Sequence, residues 1–273
     1  MESRHAKRVA VVMTCYNRRD LTLRCLRSVQ AQEGGRWELD LFLTDDGSVD
    51  GTGEAVRELW PGAKVLRGDG SFFWNGGMRR AWAEAVRSDP DYYWLVNDDT
   101  IMLPGCLAEL MTLVGGPESR RIAIGAVEDP ETGHLVYGGW RRRGRERVVP
   151  LGEPERCETM NANCTLVPRR VRRELGIFHR AYTHAMGDFD YGLQAYRAGI
   201  ELWQTGNVVA QCAGNTLAGT WRDRSLSRAE RWRRILSPKG LPPQEWLIYT
   251  WRNEGWLWPI RFVSPYMRIL LGR

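Results

Sequence analysis

Short apolar runs alternate with helical repeats along the first half of the chain. Val9-Ala10-Val11-Val12-Met13, Leu39 to Leu43, Lys64-Val65-Leu66 and Tyr92-Tyr93-Trp94-Leu95-Val96 read as strands, and the five-residue apolar runs have the length usual for strands covered on both faces. Between them Leu21, Cys25, Leu26 and Val29 recur at helical spacing, and helices are predicted from about Gly53 to Leu59 and from Met78 to Val86. This alternation predicts βαβ units and a mostly parallel central sheet flanked by helices, the α/β class. Downstream, Leu103 to Val114 reads as a helix with Pro104 at its start, Ile122 to Val127 as β-rich, and Asn161 to Val167 as a strand. A short basic helix is predicted over Arg169 to Leu175, and another over Tyr191 to Ala198, closed by Gly199. Ser227-x-x-Glu230 is a capping box opening a further helix, and the aromatic stretch Glu245 to Leu271 completes a helical extension.

Three of these strands end in polar tips: Thr44-Asp45-Asp46-Gly47-Ser48, Arg67-Gly68-Asp69-Gly70 and Asn97-Asp98-Asp99-Thr100. In a parallel sheet such tips gather at one edge, where open α/β folds bind their ligands. Glycines let backbone approach a ligand there, and carboxylates accept from ribose hydroxyls or a base N–H. The adjacent Asp98 and Asp99 repel each other, and a divalent metal carrying a diphosphate would compensate both. The competing reading is that one of them caps the following helix. The chain has neither a G-x-x-x-x-G-K-[ST] loop nor a G-x-G-x-x-G turn, so phosphates must be met by something else.

The net charge of +6 and pI near 9.1 suit an acidic partner such as a nucleotide diphosphate, an anionic lipid surface or nucleic acid. An acid cluster at the strand tips would repel a phosphate backbone, which sets a nucleic-acid module aside. Six cysteines lie scattered, without C-x-x-C or zinc spacing, and point to a reducing cytosol. The charged N-terminus precedes an apolar run too short for a signal peptide, and Arg252, Glu254, Arg261 and Arg268 interrupt the longest apolar candidate for a membrane span. A cytoplasmic location is expected, with peripheral contact at the inner face of the plasma membrane as the alternative. Six of the 13 tryptophans follow residue 220, where indoles suit sugar stacking, membrane interfaces and plain core packing alike. The basic run Arg141 to Arg147 reads as a solvated hairpin or loop.

Val11-Val12-Met13-Thr14-Cys15-Tyr16-Asn17, Thr44 to Ser48 and Asn97-Asp98-Asp99, in that order, resemble the family-2 inverting glycosyltransferases of the GT-A (nucleotide-diphospho-sugar transferase) fold. The bacterial rhamnosyltransferase-like saccharide glycosyltransferases are among them. The resemblance continues through Gly187-Asp188-Phe189-Asp190-Tyr191-Gly192-Leu193 and covers residues 8 to about 215. It implies metal-assisted single displacement of one sugar from a UDP- or dTDP-hexose to a saccharide or lipid-linked glycan, with Mn2+ or Mg2+, in cell-envelope polysaccharide biosynthesis. Thr14 and Asp46 would meet the nucleoside, Asp98 would lie near ribose or metal, and Asp99 would bind the metal. Tyr16, Asn17, Asp69, Trp74 and Gly77 would complete the nucleotide-sugar site.

By the same resemblance Asp188 is the general base, at a helix N-terminus whose dipole favours its ionised form. The family reads Glu-Asp here; Gly187 replaces the Glu, leaving Asp190 or His184 to orient Asp188. Many relatives supply a histidine after the base as a metal ligand, but this chain has only His5, His134, His179 and His184. Gln211, Cys212 or Asn215 would stand in, or Asp99 and the diphosphate would hold the metal alone. Residues 1–212 form the expected catalytic domain, with a nucleotide half over 8–115 and an acceptor half over 116–212. Residues 213–273 form a lid and C-terminal helical extension, with Gly214, Gly219 and Gly240 as hinges and Trp221, Arg222, Arg224 and Arg228 covering the donor. Nucleotidyl transfer onto a sugar phosphate is the alternative activity; the missing glycine- and lysine-rich loop counts against it.

Overall fold

In the computed structural model, which describes residues 6–272 except 33, 35, 142, 143 and 215, the first half follows the predicted alternation. It runs β1 (Lys7–Cys15), α1 (Arg19–Gln30), β2 (Trp37–Asp45), α2 (Thr52–Leu59), β3 (Lys64–Arg67), α3 (Phe73–Val86) and β4 (Tyr92–Val96). The strands pair β3-β2-β1-β4, all parallel, so their carboxyl ends share one edge. Every residue of β4 is buried. Tyr92, Trp94 and Val96 pack with Leu26 and Leu107 on one face, while Tyr93 and Leu95 pack with Trp82 and Phe178 on the other. That two-sided burial is why the strand reads as an unbroken apolar run.

The second half contains β5 (Ile101–Met102), α4 (Cys106–Val114), β6 (Arg121–Glu128), β7 (Leu135–Tyr137), β8 (Gly139–Arg141), β9 (Glu146–Arg147), β10 (Glu155–Cys157), β11 (Thr159–Met160), β12 (Cys164–Pro168), α5 (Arg169–Leu175), α6 (Gly187–Arg197) and β13 (Glu201–Gln211). The main sheet is ordered β10-β13-β6-β12-β4-β1-β2-β3. It is mixed rather than mostly parallel, because β12 lies antiparallel between β4 and β6. The described residues between β6 and β12 contain no helix, only β7, β10 and the small β11-β8-β9 sheet, and a parallel return takes a long, usually helical, crossover. The long strand β13 escapes the sequence pattern. Register shifts between Gln204 and Val208, and between Val208 and Ala210, break the alternation that would have revealed it.

Helix starts also differ from the pattern. α4 begins at Cys106 behind a left-handed Gly105, so neither Asp98 nor Asp99 caps it. α3 starts at Phe73, five residues before Met78, and α6 starts at Gly187, which brings Asp188 and Asp190 into its first turn. The extension holds α7 (Arg228–Ile235), α8 (Pro243–Asn253) and α9 (Trp258–Leu270). The capping box forms as expected, with Ser227 and Glu230 bonding each other's backbone N–H. α8 docks on α6, and α9 packs against α7 and α8.

α3 can lie close over β1 because Gly77 faces Thr14. A Cβ at Gly77 would overlap Thr14 Oγ1 and sit 2.8 Å from its Cβ. Gly77→Ala is therefore expected to lower unfolding free energy by about 1–3 kcal/mol through overpacking. It should appear as a lower urea midpoint with an unchanged slope; an unchanged midpoint would mean that α3 shifts freely.

Candidate functional site

The carboxyl ends of β1, β2 and β4 open into a cavity of about 370 Å³. Of the residues singled out from the sequence, Thr14, Tyr16, Asp46, Trp74, Asp98 and His184 line it. Arg18, Phe73 and Lys239 line it as well and were not foreseen. A side chain's reach across a loop carries no periodic signal in sequence.

Asp46 is almost fully buried and holds the wall together. Its Oδ1 accepts from Gly70 N (3.1 Å) and Phe72 N (3.3 Å), and its Oδ2 from Phe73 N (2.8 Å). These are N–H groups at the start of α3 and in the loop before it, which no helical carbonyl can satisfy. A carboxylate at that end also meets the positive end of the helix dipole. Phe73 is held at φ 51°, a conformation that costs a residue with a Cβ. Thr14 Oγ1 donates to Thr44 O (3.0 Å), and Trp74 Nε1 donates to Asn97 Oδ1 (2.7 Å), which fixes the indole against the β4 tip.

Asn17, Asp69 and Gly77 shape the surroundings instead of lining the cavity. Asn17 N donates to Ser48 Oγ and its Oδ1 accepts from Val49 N, tying the β1 tip to the β2 tip. Asp69 accepts from Ser71 N and Oγ, and these bonds hold its carboxyl below the usual range.

Asp99 lies beside Asp98 at the end of β4. Arg18 Nη1 reaches Asp99 Oδ2 at 2.7 Å and Asp98 Oδ1 at 3.5 Å. Burial and the neighbouring Asp99 raise the Asp98 carboxyl to about 7, against the pull of Arg18. Cys212 donates to Asp99 Oδ1 (3.4 Å), and burial together with Asp99 pushes its thiol up to about 12. Cys212 thus stands as a hydrogen-bond donor to that carboxylate. Gln211 is tied to Glu128 Oε1 at 3.0 Å, and Asn215 lies outside the described residues. Among the described residues no group of three or more His, Cys, Asp or Glu converges on a metal position. The donor set nevertheless fits a Mn2+ or Mg2+ ion held by one or two carboxylates and completed by phosphate oxygens and water. Carboxylate oxygens are the hard donors such ions take, and two crowded carboxylates gain most from a shared divalent charge.

Asp188 sits in the first turn of α6. Its Oδ1 accepts from Phe189 N (2.9 Å) and its Oδ2 from Ala162 N (3.3 Å). The helix end was expected to favour the ionised form, but burial outweighs these donors and raises the carboxyl to about 6. Backbone groups and the Asn161 side chain thus orient Asp188, in place of Asp190 or His184. Asp190 is fully buried and turned away, accepting from Arg252 Nε (3.1 Å), Asn253 Nδ2 (2.7 Å) and Gln194 Nε2 (2.7 Å). It anchors α8 to α6 and does not fit a base. His184 is held neutral, its pKa lowered to about 4 by burial and by Lys239 and Arg18, and its buried Nδ1 has no partner.

Asn75, which the sequence did not flag, connects the two sides. Its Nδ2 donates to Tyr182 O (2.7 Å), and Gly76 N donates to Thr183 O (3.1 Å). A Cβ at Gly187 would run into Asn75 Oδ1, so this close approach requires glycine. The expected donor-covering residues are elsewhere. Trp221 does not line the cavity; its carbonyl accepts from Arg231 Nε and its ring carries Arg222 at 5.0 Å. Arg224 lines a separate cleft with α9, and the Arg228 guanidinium lies beside Gly272. Of this segment, Lys239 is the cation that reaches the cavity.

No curated protein sequence matches the chain. Among solved structures, the fold is similar to that of GalNAc-T7 with UDP, GalNAc and Mn2+. The TM-score is 0.65 at 16% identity, over 98% of this chain and 52% of that one, so the chain spans about half of that protein's length. It is also similar to the mannosyltransferase PcManGT from Pyrobaculum calidifontis in complex with GDP-Man and Mn2+, with a TM-score of 0.57 at 18% identity over 97% of this chain and 70% of that one. The sequence model of glycosyl transferase family 2 matches residues 10–189, from the first strand past the β4 tip to the first turn of α6, and the chain belongs to that family.

Proposed function

We propose that the chain is an inverting glycosyltransferase that moves one sugar from a nucleoside diphosphate, UDP or dTDP, to a saccharide or lipid-linked glycan. The observation that carries this reading is a cavity lined by Asp98, with Asp99 beside it on the shared Arg18, whose α3 wall is tied through Asn75 to the segment that leads into Asp188. Nucleotides and Mn2+ in both similar structures support the donor class and a divalent cation. Residues 8–212 carry the chemistry, and 213–273 act as lid and extension.

Asp99, with Asp98 beside it, would hold Mn2+ or Mg2+, which supplies positive charge against the departing diphosphate. Tyr16, 54% exposed at the cavity mouth, offers a ring to the base, and Thr14 and Trp74 form fixed walls. Asp188 takes the proton of the attacking acceptor hydroxyl, held ready by Ala162 N and Phe189 N. Neutral His184 lines the cavity without adding charge. Lys239 adds a positive charge at the cavity that no strand supplies. Inversion follows from one displacement, with no covalent enzyme intermediate.

Asp99→Ala is expected to remove the gain in UDP affinity that Mn2+ confers, measured by calorimetry with and without the ion. A Mn2+ dependence equal to wild type would overturn the assignment.

Asp188→Asn should lower kcat by on the order of 10²-fold or more with donor Kd unchanged, the usual worth of a general base. Because the ionised carboxylate is the active form, wild-type kcat/KM should rise with pH up to about 6 and then level off. A profile flat through that range, or an active Asp188→Asn, would remove Asp188 from the role.

The lid reading is tested by hydrogen exchange over residues 216–240. UDP with Mn2+ should protect this segment, and equal exchange in both states would show a fixed element.

A further inference from the structure

α9 turns an apolar face outward. Ile260, Val263, Met267 and Leu270 recur at three- and four-residue spacing and are all exposed, while Pro265 and Ile269 face the protein. The outward stripe of a surface helix in water is ordinarily polar. At the helix start, Trp256 in the turn Gly255–Leu257 is 85% exposed, and Trp251 of α8 is 65% exposed. The Trp251 ring meets Trp258 edge-on at 5.2 Å, so the indoles form one corner. Indoles gather in this way where an apolar phase meets water.

Charge is distributed to match. Residues 213–273 carry eleven Lys and Arg against four Asp and Glu, a formal +7, whereas residues 1–212 sum to −1. The extension therefore holds the whole positive excess of the chain. Arg224 and Arg268, with Ser264, Met267 and Leu271, line a cleft that includes the end of the apolar stripe. Neither arginine is paired with a carboxylate among the described residues. Arg261 flanks the stripe near Glu254, at 3.7 Å.

We propose that this face seats the protein on an anionic lipid bilayer. α9 lies in the plane of the headgroups, its apolar stripe turned inward, and the Arg224–Arg268 cleft takes a lipid phosphate. A 13-residue helix is about 20 Å long, short of the hydrocarbon core, and no helix among the described residues is long and apolar enough to cross a membrane. The protein thus lies on the bilayer. A second copy of the chain is the poorer occupant, because pairing these faces would bring two strongly positive extensions together. The inference rests on the extension alone and not on the proposed transfer; it narrows that proposal's acceptor to a lipid-linked glycan.

The test is flotation of the full chain with vesicles of phosphatidylcholine alone and of phosphatidylcholine mixed with phosphatidylglycerol. Binding is expected only to the anionic vesicles, with a blue shift in tryptophan emission and a loss on raising salt. The double variant Val263→Glu/Met267→Glu should bind at least about tenfold more weakly, from lost apolar insertion. Arg224→Glu/Arg268→Glu should bind more weakly as well. All four side chains lie at the surface, so circular dichroism should match wild type, and Val263→Glu/Met267→Glu, which lies outside residues 216–240, should keep the wild-type UDP affinity. No binding by the wild type, or equal binding by both variants, would overturn the proposal. A salt-insensitive dimer in sedimentation that Val263→Glu/Met267→Glu dissolves would overturn it too, and would assign the face to a second copy. Vesicle binding and donor turnover are read separately, so either can fail without the other.

Discussion

A single buried carboxylate, Asp46, fixes the relation between the sheet and the helix that walls the cavity. It sits one residue beyond β2 and receives the N–H groups of Gly70, Phe72 and Phe73. Each hydrogen bond to a charged acceptor contributes about 1.5–3 kcal/mol net, enough together to hold Phe73 in its unfavourable conformation. α3 then falls across β1 at a distance only Gly77 permits, and its first turn ties Asn75 to Tyr182 O and Gly76 N to Thr183 O. The resemblance to family 2 gives Asp46 to the nucleoside. In this protein most of its hydrogen-bonding capacity is spent on the wall, and what it offers a ligand is charge and position.

The electrostatics of the site follow from competition between burial and partners. Asp98 and Asp188 both lie above the ordinary carboxylate range, because burial outweighs the donors each has. For Asp98, the like charge of Asp99 adds to the effect and Arg18 offsets part of it. Arg18 thus occupies the oxygens that a divalent ion held at this pair would use. A neutral His184 and Lys239 line the same cavity. The cavity therefore carries positive charge from Arg18, just before α1, and from Lys239 of the extension, while the strand tips themselves are acidic.

The extension is joined to the catalytic half by a buried charge. Asp190 is fully enclosed and is matched by Arg252, Asn253 and Gln194. Such a carboxylate is tolerable only because each oxygen is satisfied. This anchor leaves α9 as the outer layer, where the apolar stripe lies beside Arg224, Arg261 and Arg268.

The sequence by itself determined the parallel half of the sheet, since β1, β2 and β4 carry apolar runs buried in the core and β3 is a short Val-Leu pair at the sheet edge, and it placed the acidic tips on one edge. It determined the capping box at Ser227 and the Gly199 helix end, both of which are local chemistry. It could not determine the mixed character of the sheet, because the antiparallel entry of β12 depends on a return path with no periodic signature, and β13 is hidden by its own bulges. Nor could it separate Asp188 from Asp190: two carboxylates two residues apart on one helix face different neighbours, and only packing against α8 turns one into an anchor. The reversal of the expected Asp188 shift, the arrival of Arg18 at Asp98 and Asp99, and the dispersal of Arg222, Arg224 and Arg228 have the same cause. Charge follows distance in space, and long side chains on loops acquire their distances only when the chain is folded.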